Sequence, residues 1–126
     1  MIHERHYSRE EAEAALDEVE PLLSELREAK DSLTDAEAHA VLSEAAATNG
    51  GGAEGRSVGQ AFLRVRELLT RFNELGIVIR DIDRGLIDFP AIVDDDEVYL
   101  CWHVGEDGIS FWHPLDGGFA ERQPLD

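Results

Sequence analysis

The sequence predicts an α+β fold: a long kinked helical hairpin followed by a small antiparallel β-meander, in a single domain covering 1–126. Three observations predict it. Ala, Leu and Glu, strong helix formers, crowd the first part, whereas six of the nine aromatics (Phe89, Tyr99, Trp102, Phe111, Trp112, Phe119) fall after position 88. Apolar residues recur every three or four positions up to Leu75 and every two beyond Gly76. A glycine-rich linker, 48–56, splits the helical part, 1–75, and leaves 76–126 as a β-rich part and tail.

The first helix starts at a capping box. The Ser8 hydroxyl can accept from a first-turn N–H while Glu11 reaches back to the Ser8 N–H. Its apolar stripe runs Ala12, Ala15, Leu16, Val19, Leu22, Leu23, Leu26, Ala29, Leu33, Ala36, Ala40, Val41. Pro21 removes one helical hydrogen bond at a cost of about 3 kcal/mol, so a kink is expected there. The stripe keeps its phase past Pro21, which argues against a reversal. Roughly 37 residues of helix would span about 55 Å.

The linker reads TNGGGAEGR, and a second capping box, Ser57 with Gln60, is expected to open the next helix. That helix carries Val58, Ala61, Phe62, Val65, Leu68, Leu69, Phe72 and Leu75, with Gly76 placed to end it. Two one-faced helices on a short linker pack antiparallel, and Arg64, Arg66 and Arg71 can offset the acidic first helix. A two-helix hairpin has few ways to bury both stripes, so a homodimer forming a four-helix bundle is expected.

Strands are expected at 77–80, 86–89, 98–104 and 109–113, with turns at 81–85, 94–97 and 105–108. Alternation puts Tyr99, Cys101 and His103 on one face and Val98, Leu100, Trp102 and Val104 on the other. A three-residue loop, Glu106-Asp107-Gly108, would set Trp102 opposite Trp112 and Cys101 opposite His113. A one-residue slip would instead oppose Cys101 to Trp112.

Charge narrows the function classes. Eleven Lys and Arg against 28 Asp and Glu give a formal net charge of -17, which disfavours nucleic acid and anionic membrane surfaces. No apolar run approaches the ~20 residues of a membrane helix. The single cysteine, Cys101, fits a reducing compartment, and the chain reads as a soluble cytoplasmic protein.

Two motifs in the linker are decoys. Gly50, Gly52 and Gly55 give G-x-G-x-x-G, and Gly50, Gly55, Arg56 and Ser57 approach a phosphate-binding loop. Both require a preceding strand, but SEAAATN is a helix end, and Glu54 puts negative charge in the cradle. Nucleotide binding is rejected. Asp81, Asp83 and Gly85 hint at a calcium loop, yet its fifth and twelfth positions hold Gly85 and Ile92, so a turn is the reading.

Chemistry can live in the β-rich part. Cys101, His113 and Asp88 could together hold zinc or iron, since thiolate, imidazole and carboxylate suit those ions. The bland alternative is a buried thiol packed beside hydrogen-bonded histidines. A Cys101–His113 nucleophile pair lacks an evident oxyanion donor. Arg122 follows a Gly117-Gly118 hinge and could clamp an anion, or pair with Asp88 or Asp116 and staple the tail to the sheet. Asp88, Trp102, His113 and Arg122 are accordingly the expected lining of one pocket for a small polar ligand. His3 and His6 fall in a terminal segment read as mobile and receive no role.

The C-terminal motifs carry a resemblance. Asp81-x-x-x-Gly85-Leu86-Ile87-Asp88-Phe89-Pro90, Val98-Tyr99-Leu100-Cys101-Trp102, Gly105-Glu106, Trp112-His113 and Gly118-Phe119-Ala120-x-Arg122-Gln123-Pro124 resemble the prokaryotic family catalogued as domain of unknown function 2203. The likeness covers nearly the whole chain, since those proteins also open on an "EEA" helix and a leucine-striped hairpin. It implies no activity and no catalytic residues. The pattern usually has Arg where this chain has His103, and Glu where it has Pro114, which weakens any metal site relying on those positions.

The sequence therefore points to a non-enzymatic interaction or small-ligand-binding module without a cofactor, with a protein or small polar molecule as partner. The alternative is a metal-binding protein or metalloenzyme using Cys101, His113 and Asp88.

Overall fold

The computed structural model of the chain describes residues 1–46 and 53–125, with side chains outside 34–58. Two helices precede a five-stranded antiparallel sheet, so the class is α+β. Helix α1 spans Arg9–Ala46 and α2 spans Ala53–Leu75. The strands are β1 Val78–Asp81, β2 Leu86–Val93, β3 Asp96–His103, β4 Phe111–Pro114 and β5 Gln123–Pro124. They lie side by side in chain order, a meander.

The local signals explain the helices. The Ser8 Oγ accepts from the Glu11 N–H at 3.0 Å, and Glu11 Oε1 accepts from the Ser8 N–H at 2.9 Å, closing the capping box. Helix α1 continues through Pro21, whose ring lies on the exposed side. Helix α2 begins earlier than expected. Ala53–Arg56 is already helical, so Ser57 stands inside the helix and its capping box is not a helix start. Ala and Glu favour helix strongly enough to carry the turn before it. The rest of the expected linker, 48–52, lies outside the described residues, as do the side chains of Ala36, Ala40, Val41 and Val58. At the far end Gly76 adopts φ +74°, the Ile77 N–H donates to the Phe72 carbonyl and the Gly76 N–H to that of Asn73. This is a Schellman stop.

The helices run antiparallel, with Arg71 on Glu18 and Arg64 on Glu25, each at 2.6 Å. These exposed pairs fix alignment more than they stabilise. Stability comes from the stripe: Ala12, Leu16, Val19, Leu23 and Leu26 of α1 and Leu68, Phe72 and Leu75 of α2 form one core with Ile87, Phe89, Ala91, Val98, Leu100, Trp102 and Ile109. Phe62 and Leu69, expected in the stripe, are exposed.

Strands β2 and β3 are longer than expected, because their turn is only Asp94-Asp95, both with positive φ, and Val93 already pairs with Asp96. Pro90 is tolerated because β1 stops at the Val78–Asp88 pair. Beside Pro90 runs the N-terminal segment instead, where the Tyr7 N–H donates to the Pro90 carbonyl at 2.7 Å. The short 3₁₀ turn 119–121 and β5 had no sequence signal of their own.

Candidate metal centre

Alternation sorts the sheet into two faces. One carries Ile87, Phe89, Leu100, Trp102 and Trp112 into the helix-facing core. The other carries Asp88, Tyr99, Cys101, Phe111 and His113. Such a face would ordinarily meet water, yet Asp88, Cys101 and His113 are each 1% exposed. The two chain ends help to cover it. His3 Nε2 is hydrogen-bonded to the Tyr99 hydroxyl at 2.6 Å from one side, and Arg122 lies over the Phe111 ring at 4.1 Å from the other.

Three donors converge there. One ligand atom each from Asp88, Cys101 and His113 lies within 4.8 Å of the other two, and among the described residues this is the one such cluster. Asp88 and Cys101 face each other directly across β2 and β3. The His113 Nδ1–H donates to the Pro114 carbonyl at 2.8 Å, because a carbonyl can only accept. That fixes the ring and turns Nε2 toward Asp88 Oδ2 at 2.9 Å. Arg80 Nε also donates to Oδ2, at 2.7 Å. Asp88 Oδ1, equally buried, has no hydrogen-bond partner. A buried carboxylate oxygen left unpaired is costly, and it marks a place for an electrophile or a donor.

The thiol is inert by itself. Burial pushes Cys101 up to about 12, the Asp88 charge adds to this, and Arg122 opposes it. A protonated thiol is a poor nucleophile, which argues against Cys101–His113 catalysis. A metal ion can still displace that proton.

The structure brings together Asp88, Cys101 and His113, and separates them from the other expected pocket residues. Trp102 is not beside His113. It lies on the opposite face, in the core, with its indole N–H donating to the Glu106 carbonyl at 3.1 Å. Arg122 pairs with Glu106, at 2.6 Å, rather than with Asp88 or Asp116. The expected register is corrected as well. Tyr99 opposes His113, Leu100 opposes Trp112 and Cys101 opposes Phe111, a two-residue shift from the Cys101–His113 and Trp102–Trp112 pairs. The cause is Ile109, which leaves the sheet to bury its side chain in the core while its N–H donates to Glu13 of α1. The connection is therefore longer than a three-residue loop.

Arg80, Glu106, His3 and His6 escaped sequence reasoning. Arg80 had a signal, an outward position on β1 near the antiparallel partner of Asp88. Glu106 had none, since a turn acid is ordinary. His3 and His6, read as mobile, are held: Glu97 accepts from the Ile2 and His3 N–H groups at 2.8 and 3.0 Å, and His6 Nε2 meets Glu97 Oε2 at 2.7 Å. Burial raises Glu97, but the His6 contact and the two backbone donors outweigh it and hold the carboxyl at about 2.

Comparison with known proteins adds a family and no activity. Nothing matches among curated proteins or among solved structures. The family model for an uncharacterized conserved protein, DUF2203, matches residues 5–125, and the chain belongs to that family.

Proposed function

We propose that the protein binds a transition-metal ion, zinc or ferrous iron, through Asp88, Cys101 and His113. The observation that carries this reading is the buried convergence of three donors within 4.8 Å of one another. Thiolate and imidazole favour these ions over magnesium or calcium. The Pro114 carbonyl supplies the second-sphere hydrogen bond that ligating histidines ordinarily make through their other nitrogen. Asp88 Oδ1, without a hydrogen-bond partner, offers the carboxylate donor, and His113 Nε2 would exchange its contact with Asp88 Oδ2 for the ion. Three protein donors leave the fourth corner of a tetrahedron to an exogenous ligand. The bound ion would also fasten three consecutive strands.

The test is elemental analysis of protein purified without a metal-affinity tag, followed by zinc and ferrous titration of stripped protein. About one ion per chain is expected, lost in Cys101→Ala and in His113→Ala. Folded wild-type protein that takes up neither ion removes this reading.

A second reading concerns assembly. Phe62, Leu63 and Leu69 are exposed on α2, although the stripe would bury two of them. A second copy pairing hairpin to hairpin would cover them in a four-helix bundle. Light scattering at micromolar concentration tests it, and a 14.0 kDa particle rules it out.

A further inference from the structure

Strand β1 is an edge strand with a defect at one residue. Ile79 pairs with Ile87 and Asp81 with Leu86, leaving Arg80 as the extra residue of a β-bulge. Bulges at sheet edges bend the strand and re-aim the bulged side chain. Here the bulged residue is Arg80, on the same face as Val78 and its partner Asp88. Its Nε donates to Asp88 Oδ2 at 2.7 Å, and its guanidinium lies over the Tyr99 ring at 4.8 Å. Arg80 is 40% exposed, whereas the two groups it adjoins, Asp88 and His113, are 1% and 2% exposed as side chains. It thus bridges solvent and the buried cluster.

We propose that Arg80 is a displaceable internal cation that guards the Asp88–Cys101–His113 centre, an inference that rests on the metal reading above. Without metal, the buried Asp88 Oδ2 is met by His113 Nε2 and by the Arg80 guanidinium, and the arginine supplies a permanent positive charge. A divalent ion on the same carboxylate supplies more charge at shorter range and repels the guanidinium. Arg80 then swings toward solvent. Its side chain is 40% exposed and stands at a bulge on an edge strand, so the swing breaks its contacts to Asp88 and Tyr99 but no backbone pairing. Ion entry follows the opening it leaves. The rival role is positioning, in which Arg80 stays on Oδ2 and aims Oδ1 at the ion. The two roles predict opposite effects of removing the charge.

Stripped wild-type, Arg80→Gln and Arg80→Lys proteins are titrated with zinc against a chromophoric chelator, with uptake followed by stopped flow. Because a positive charge beside the ion is removed, Arg80→Gln is expected to bind about tenfold tighter or more, and faster, with Arg80→Lys in between. In the wild type, where folding is not in question, phenylglyoxal labelling of Arg80 read by mass spectrometry should rise on adding zinc. Weaker binding by Arg80→Gln, or labelling that falls or stays level with zinc, overturns the guard while leaving the metal reading standing. Zinc uptake by none of the three folded proteins overturns both.

Discussion

Arg122 Nη2 lies 2.6 and 2.7 Å from the two carboxylate oxygens of Glu106, and its guanidinium spans the rings of Phe111 and Phe119. The same nitrogen reaches the Cys101 carbonyl at 3.3 Å. The tail is thereby stapled to β3 and β4. Arg122→Ala should destabilise the protein by about 2 kcal/mol, because it leaves a largely buried carboxylate without its cation. Urea unfolding checks this; a loss below about 0.5 kcal/mol would make the staple a surface contact.

Cys101 should resist labelling. With its thiol held at about 12, native protein at pH 8 should react with iodoacetamide far more slowly than unfolded protein. The same shift links to stability. A folded value above the ordinary 9.0 favours the protonated fold, so this contribution is intact below about pH 9 and lost as pH rises toward 12. Metal-free Cys101→Ala should show a shallower alkaline decline than metal-free wild type between those limits.

Glu97 titrates the other way. Its carboxyl sits at about 2, below the ordinary 4.5, so its stabilising effect is present above about pH 4.5 and disappears as pH falls toward 2. Glu97→Gln should flatten the acid limb of a stability profile in that window. At neutral pH it should release residues 1–6, read as faster proteolysis near Arg5. An unchanged cleavage rate would mean that the strap is held without Glu97.

Gly85 has φ +63°, and a Cβ added there would lie 2.3 Å from Val104 Cγ2. Gly85→Ala should cost about 2–3 kcal/mol from backbone strain and overlap together. Adding Val104→Ala should recover the overlap part and leave the strain. If the double variant is no more stable than Gly85→Ala, the clash is not the cause.

The helices were legible because a one-faced stripe and a capping box are local signals, and Ser8, Glu11 and Gly76 do what their types imply. The β3–β4 register was not legible. It depends on Ile109 turning into the core under α1, a tertiary choice that no hairpin rule contains. The donor set nevertheless survived the error, since a two-residue slip keeps Cys101 and His113 on one face; the one-residue slip would have parted them. Trp102 lies outside the pocket because strand alternation puts it on the face opposite Cys101, in the core. Arg80 was legible only as an outward position on β1; the bulge that leaves it unpaired in the ladder has no composition signal.

The meander also sets an order of assembly. Asp88, Cys101 and His113 come from three successive strands, with the Asp88–His113 contact closing a separation of only 25 positions. The strap that covers Tyr99 closes separations of 94 and 95 through Glu97. Short closures cost less chain entropy and form sooner, so the donors should gather while the face above them is still open. In folding terms the three side chains gather before residues 1–6 cover them, whereas the Arg122 tail, closing separations of 16 and 21 positions, arrives with them.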